Sequence, residues 1–118
     1  MDSGLGDLDF CYLSTTGRVT GRTHRIEIWF ALAGRTAYLL SGSASSDWVR
    51  NLVAQPAVTL ELGARRFPAT ARIVHELLEE AEARRLVYEK YRTRCGGDLT
   101  NWRDGAVPVA IDLRPDVE

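Results

Sequence analysis

Lysine is almost missing from this chain: Lys90 stands alone beside fourteen arginines, and the 118 residues carry a net charge of only −1. With a pI near 6.1, no excess of one sign draws the protein toward nucleic acid or an anionic membrane. Cysteine and histidine are equally sparse. Cys11 and Cys95 form no C-x-x-C pair, and Cys11, in an apolar run, reads as a small core residue. His24 and His75 have neither a cysteine nor a carboxylate at ligand spacing, so no metal centre is expected. There is no G-x-S-x-G elbow for a hydrolase, no dinucleotide fingerprint and no Walker loop. No apolar run approaches the roughly 20 residues of a membrane-spanning helix. Asp2, Asp7 and Asp9 interrupt the N-terminus, so no signal peptide is expected and a reducing cytosol is the expected setting.

What is present, 45% hydrophobic and 26% charged residues, suits one soluble domain over 1–118 with a short tail at 1–7. Leu8 to Thr16 reads as a strand. Arg25 to Leu32 alternates as a second, with Ile26, Ile28, Phe30 and Leu32 on one face and Arg25, Glu27 and Trp29 on the other. Thr36 to Ser41 is apolar on both faces, as a central strand would be. Ser46-Asp47 starts a short helix whose apolar stripe is Trp48, Val49, Leu52 and Val53, and Pro56 ends it. Val58, Leu60 and Leu62 mark a fourth strand, and Phe67, Ala69, Ala71 and Ile73 a fifth, where Pro68 suggests an edge or a bulge. Glu76 to Tyr91 is one longer helix with Leu77, Ala81, Tyr88 and Tyr91 on one side. Arg92 to Gly105 reads as irregular, and Val107, Val109, Ile111 and Leu113 form the last strand. The expected architecture is α+β, mainly β: six antiparallel strands in a small barrel with one short and one longer helix at its side.

The chemistry gathers between the first two strands, in Thr15-Thr16-Gly17-Arg18-Val19-Thr20-Gly21-Arg22-Thr23-His24-Arg25. Two glycines permit unusual backbone angles, and the arginine forks with backbone N–H groups form an inventory suited to phosphate. A solvated turn is the plain alternative. A second loop of small residues, Ser41-Gly42-Ser43-Ala44-Ser45-Ser46, ends at a helix start, where free N–H groups favour an anion. Trp29 reads either as an aromatic wall for a flat ring or as a residue covered by the long helix or a second subunit. Tyr88 and Tyr91 read first as helix packing.

The segment Leu13 to Arg22, then Arg25 and Ile28-Trp29-Phe30, resembles the deazaflavin-dependent nitroreductase family of actinobacteria, with its T-T-G-R-x-[ST]-G loop. The likeness continues in Trp48-x-x-Asn51-Leu52-x-x-x-Pro56-x-Val58, in Phe67 to Arg72 and in Val107 to Ile111. The resemblance implies a split β-barrel related to pyridoxamine-phosphate oxidase. It implies coenzyme F420, with FMN as the alternative cofactor, and hydride transfer to a nitro compound, a quinone or a similar acceptor. Carried over by position, Arg18, Thr20, Gly21, Arg22 and Arg25 serve the phosphate side, and Ile28 and Trp29 line the ring. Ser41, Gly42, Ser43, Ala44, Trp48 and Asn51 close the other side. Tyr88 and Tyr91 correspond to a tyrosine pair near the substrate, with Tyr91 the candidate proton donor. The family's S-K-G-G loop stands here as Ser41-Gly42-Ser43-Ala44, without the lysine, which leaves a non-catalytic flavin, haem or lipid carrier as a second reading. A homodimer is also expected, because Trp29, Leu39 and Val74 sit on strands apolar on both faces.

Overall fold

A computed structural model describes residues 4–94 and 97–114; Cys95 and the first three residues of the expected tail lie outside them. Seven strands, not six, form one antiparallel sheet: β1 (Cys11–Thr16), β2 (Thr23–Ile28), β3 (Ala31–Ala33), β4 (Thr36–Ser41), β5 (Ala57–Leu62), β6 (Arg65–Ile73) and β7 (Val107–Leu113). Their order is β2-β1-β5-β6-β7-β4-β3. Strands β2 and β3 therefore occupy opposite edges, yet only Trp29 and Phe30 separate them in sequence. A span of three peptide units reaches at most about 10 Å, so the sheet has to curl until its edges nearly meet. That is the split barrel.

The expected strand Arg25–Leu32 breaks because side chains take over its backbone bonds at Phe30. The Phe30 amide donates to the Tyr91 hydroxyl at 3.0 Å, and its carbonyl accepts from Lys90 Nζ at 2.9 Å. Both partners come from α2 (Leu77–Tyr91), the long helix. The lone lysine also lies over the Phe30 ring at 3.7 Å, and burial lowers its pKa to about 8.

Two apolar cores lie on the two sides of the sheet. Inside the barrel, Cys11, Leu13, Phe30, Leu39, Leu60, Phe67 and Ile111 meet Leu52 of the short helix α1 (Asp47–Ala54). Outside, Tyr38, Leu40 and Ala110 meet Val74 and the Ala83, Val87 and Tyr91 face of α2. This face corrects the expected one: Ala81, Leu77 and Leu78 are exposed, the two leucines at 77% and 79%. It also takes two of the three residues out of the expected apolar dimer patch: Val74 is covered by α2 at 3% exposure, Leu39 faces the barrel interior at 0%, and only Trp29 stays exposed. Pro68 is at neither an edge nor a bulge. It sits inside β6 opposite Thr59, and its carbonyl accepts from Arg114 just past the end of β7, so its missing N–H points where that ladder has stopped. The stretch read as irregular contains a further helix, α3 (Thr100–Gly105). Arg84 holds it by donating to the Arg103 and Ala106 carbonyls at 2.6 and 2.8 Å while paired with Glu80. Among the described residues no helix is long and apolar enough to cross a membrane.

One polar cluster straps α2 to the sheet. Arg72 donates twice to Glu79 at 2.7 Å and to Asp112 at 2.7 Å, and the Tyr38 hydroxyl donates to Glu79 at 2.8 Å. These donors, Arg72 first, pull Glu79 from the ordinary 4.5 to about 2. A carboxylate with a lowered folded-state pKa stabilises the fold above its unfolded pKa and loses that contribution as pH falls through the folded value. Chemical denaturation is thus expected to show stability declining between pH 4.5 and 2. Arg72→Gln should flatten the decline; an unchanged pH slope would show the strap to be inert.

Candidate active site

The basic loop folds on itself. Gly17 N–H donates to the Arg22 carbonyl at 2.7 Å, and Gly21 N–H to the Gly17 carbonyl at 2.9 Å. Gly21 needs its glycine for a φ of +76°. At Gly17 a Cβ would lie 2.8 Å from His24 Nε2 and 3.1 Å from the Arg22 carbonyl oxygen, so a larger residue there would displace the His24 ring. The loop walls a cleft of about 220 Å³ whose lining is Gly17, Arg18, Val19, Thr20, His24, Asp47 and Asn51.

Asn51 is the post on which this cleft is hung. Its buried Oδ1 accepts from Arg18 Nη1 at 2.7 Å and from the Arg18 amide at 3.2 Å. Its Nδ2 reaches Thr15 Oγ1 at 3.5 Å. The guanidinium also meets Asp47 Oδ1 at 3.3 Å, although that carboxylate is 87% exposed. Helix α1 thereby fixes one arginine of the loop at the cleft wall. The amides of Val19 and Thr20 have no acceptor among the described residues, and neither does the Arg22 guanidinium. Two unspent N–H groups, one held and one uncommitted guanidinium, and His24 fit a phosphate-bearing group.

A second cleft, about 430 Å³, is aromatic. Glu27, Ile28, Trp29, Leu40, Leu99 and Trp102 line it. Trp29 stacks on the Tyr91 ring at 4.3 Å with planes 4° apart and meets Trp102 edge-on at 5.7 Å. The Tyr91 hydroxyl beneath the stack donates to the Asp9 carbonyl at 2.7 Å and accepts from Phe30 N–H. Burial raises its pKa to about 12.

The two clefts share one strand. His24, at the phosphate-like end, and Ile28, at the aromatic end, are four residues apart on the same face of β2, so they stand about 13 Å apart. Of the expected site residues, this brings Arg18, Thr20 and Asn51 together at one cleft and Ile28 and Trp29 at the other, with Gly21 and Arg22 closing the loop. Arg25 stands elsewhere: its guanidinium is clamped by Glu61 at 3.0 and 3.1 Å and lies over the Tyr12 ring at 3.8 Å. Ser41, Gly42, Ser43 and Ala44 line neither cleft. Ser41 and Ser43 spend their hydroxyls inside their own loop, and Trp48 packs on the barrel core. Tyr88 lies under Arg103 of α3 at 4.5 Å. His24 was legible as part of the basic loop but carried no assigned role, and Asp47 was legible only as a helix start. Sequence reasoning passed over Leu99 and Trp102, because a six-residue helix carries too little periodicity to be seen.

Residues 3–114 match the family model of the F420H(2)-dependent quinone reductases. The chain belongs to that family. It is an oxidoreductase, and its cofactor is the deazaflavin F420. Its fold is shared with a solved F420-H2 dependent reductase, at 16% identity and a TM-score of 0.71, over 88% of this chain and 94% of that one. It is also shared with a chain of Listeria innocua named for pyridoxamine 5′-phosphate oxidase (15%, 0.69, over 94% and 88%). A third solved chain, described as a domain-swapped dimer, is 17% identical with a TM-score of 0.72 over 88% of this chain and 80% of that one. At such identities these three likenesses are of fold alone. No curated protein matches closely enough to count as a relative.

Proposed function

We propose that this reductase passes a hydride from reduced F420 to a flat conjugated acceptor, a quinone or a nitro compound, with the cofactor laid along β2. The carrying observation is the pairing of a cationic cleft and an aromatic cleft along one strand, at His24 and at Ile28–Trp29, with His24 and Ile28 about 13 Å apart. A phosphate, a short polyol chain and one ring bridge that reach. When bound, F420 supplies a hydride, two electrons with one proton, and the acceptor takes its second proton from water.

The chain's own residues bind and orient. Val19 and Thr20 offer amides to the phosphate, Arg18 is held beside it by Asn51, and Arg22 supplies the charge that the Ser41–Ala44 loop lacks for want of a lysine. Trp29 offers a flat face, kept level by Tyr91, and Trp102 bounds the space for the acceptor. Proximity on such a platform is the main catalytic contribution. Tyr91 enters as the support of Trp29 and not as the acid, because both hydrogen-bonding capacities of its hydroxyl are spent on backbone. Family membership displaces the carrier reading. Anaerobic oxidation of reduced F420 by menadione, followed by the return of cofactor absorbance, tests the proposal. Steady turnover above the uncatalysed rate is expected, and no turnover with any quinone or nitroarene would overturn it.

A homodimer and a cytosolic setting belong to the same proposal. The dimer is supported by the shared fold with the domain-swapped chain and by the exposure of Phe10 and Trp29, and the setting by the buried free thiol of Cys11. Light scattering should give about twice the 13.2 kDa of one chain; the single-chain mass at all dilutions would refute the dimer.

A further inference from the structure

We propose that Glu27 selects acceptors by charge, admitting neutral or cationic flat molecules to the aromatic cleft and repelling anionic ones. Five of the six lining residues are apolar or aromatic, so Glu27 brings the cleft its one carboxylate. That carboxylate is exposed and has no ion pair among the described residues. Its single hydrogen bond comes from the Tyr12 hydroxyl at 3.3 Å, which is long for an O–H donor. The nearest arginine along the strand is no counter-ion, because Glu61 holds Arg25 with two hydrogen bonds on the far side of Tyr12. The indole faces of Trp29 and Trp102 add electron-rich surface, which favours cations and disfavours anions. The chain thus separates its charges: guanidinium and amides at the cofactor's phosphate end of β2, a bare carboxylate at the ring end.

This inference rests on the acceptor entering at the aromatic cleft. Unit charges of like sign about 6 Å apart in a half-solvated cleft give roughly three- to tenfold discrimination. The test compares wild type with Glu27→Gln and Glu27→Lys, using reduced F420 with menadione and with naphthoquinone sulfonate. The ratio of kcat/KM for the sulfonate to that for menadione should rise about three- to tenfold in Glu27→Gln and further in Glu27→Lys. The rise should shrink at high salt. A ratio unmoved by both variants would overturn the inference while leaving the reductase reading intact. Equilibrium binding of both quinones, read by quenching of tryptophan fluorescence, supplies the same ratio without turnover. An unchanged binding ratio would overturn the inference even in an inactive preparation, whereas absence of turnover alone would count only against the proposed reaction.

Discussion

Replacing Arg18 and Arg22 together with alanine is expected to weaken F420 binding by about 2–4 kcal/mol, one and a half to three decades in Kd. The two arginines should separate in stability. The Arg22 guanidinium has no partner among the described residues, so Arg22→Ala should leave the melting temperature unchanged while costing about tenfold in affinity, a modest value for an exposed charge. Arg18 is different. Its guanidinium occupies the buried Asn51 carbonyl oxygen at 2.7 Å, and Arg18→Ala leaves that oxygen with only the 3.2 Å bond from the Arg18 amide. A loss of about 1 kcal/mol of stability should accompany the loss of binding. Fluorescence titration with F420 and thermal denaturation check both statements. A double variant that binds normally but melts early would make the loop purely structural.

Tyr91→Phe is expected to lower stability by about 2–3 kcal/mol, on the order of 10 °C in Tm. The hydroxyl lies in a site 2% exposed and satisfies two backbone groups, the Phe30 amide and the Asp9 carbonyl. Removing it leaves a buried donor without an acceptor at the joint where β2 becomes β3, and it loosens the segment running from Asp9 into β1. The phenylalanine ring still supports Trp29, so kcat should fall far less than stability. A large fall in kcat with an unchanged Tm would instead make Tyr91 the proton donor that its place in the family pattern suggests.

Strand alternation made the barrel readable. Ile26 and Ile28 do turn inward, Thr36–Ser41 is buried on both faces, and Leu60 and Ile111 fill the interior as their periodicity implies. What stayed hidden depended on contacts across long sequence separations. Nothing local to Trp29-Phe30 announces that Tyr91 and Lys90, some sixty residues on, will take its backbone bonds and split one strand into two. The face of α2 was misread because two of its three leucines, Leu77 and Leu78, lie at the solvent-exposed N-terminal end, and its buried stripe is the small and mixed set Ala83, Val87 and Tyr91. At the site, the loop glycines and arginines were legible as chemistry. The family pattern grouped Asn51 with Arg18, but that Asn51 holds Arg18 in place was not visible. Arg25 looked like its neighbours in sequence, yet strand alternation turns it to the outer face, where Glu61 stands two strands away.

The most direct test of the account is an amide-resolved NMR titration of the protein with F420. The largest shifts are expected at the Val19 and Thr20 amides and at the Trp29 and Trp102 indoles, saturating together, with inorganic phosphate moving only the first pair. Shifts confined to the Ser41–Ala44 loop, with Val19, Thr20 and Trp29 unmoved, would contradict it.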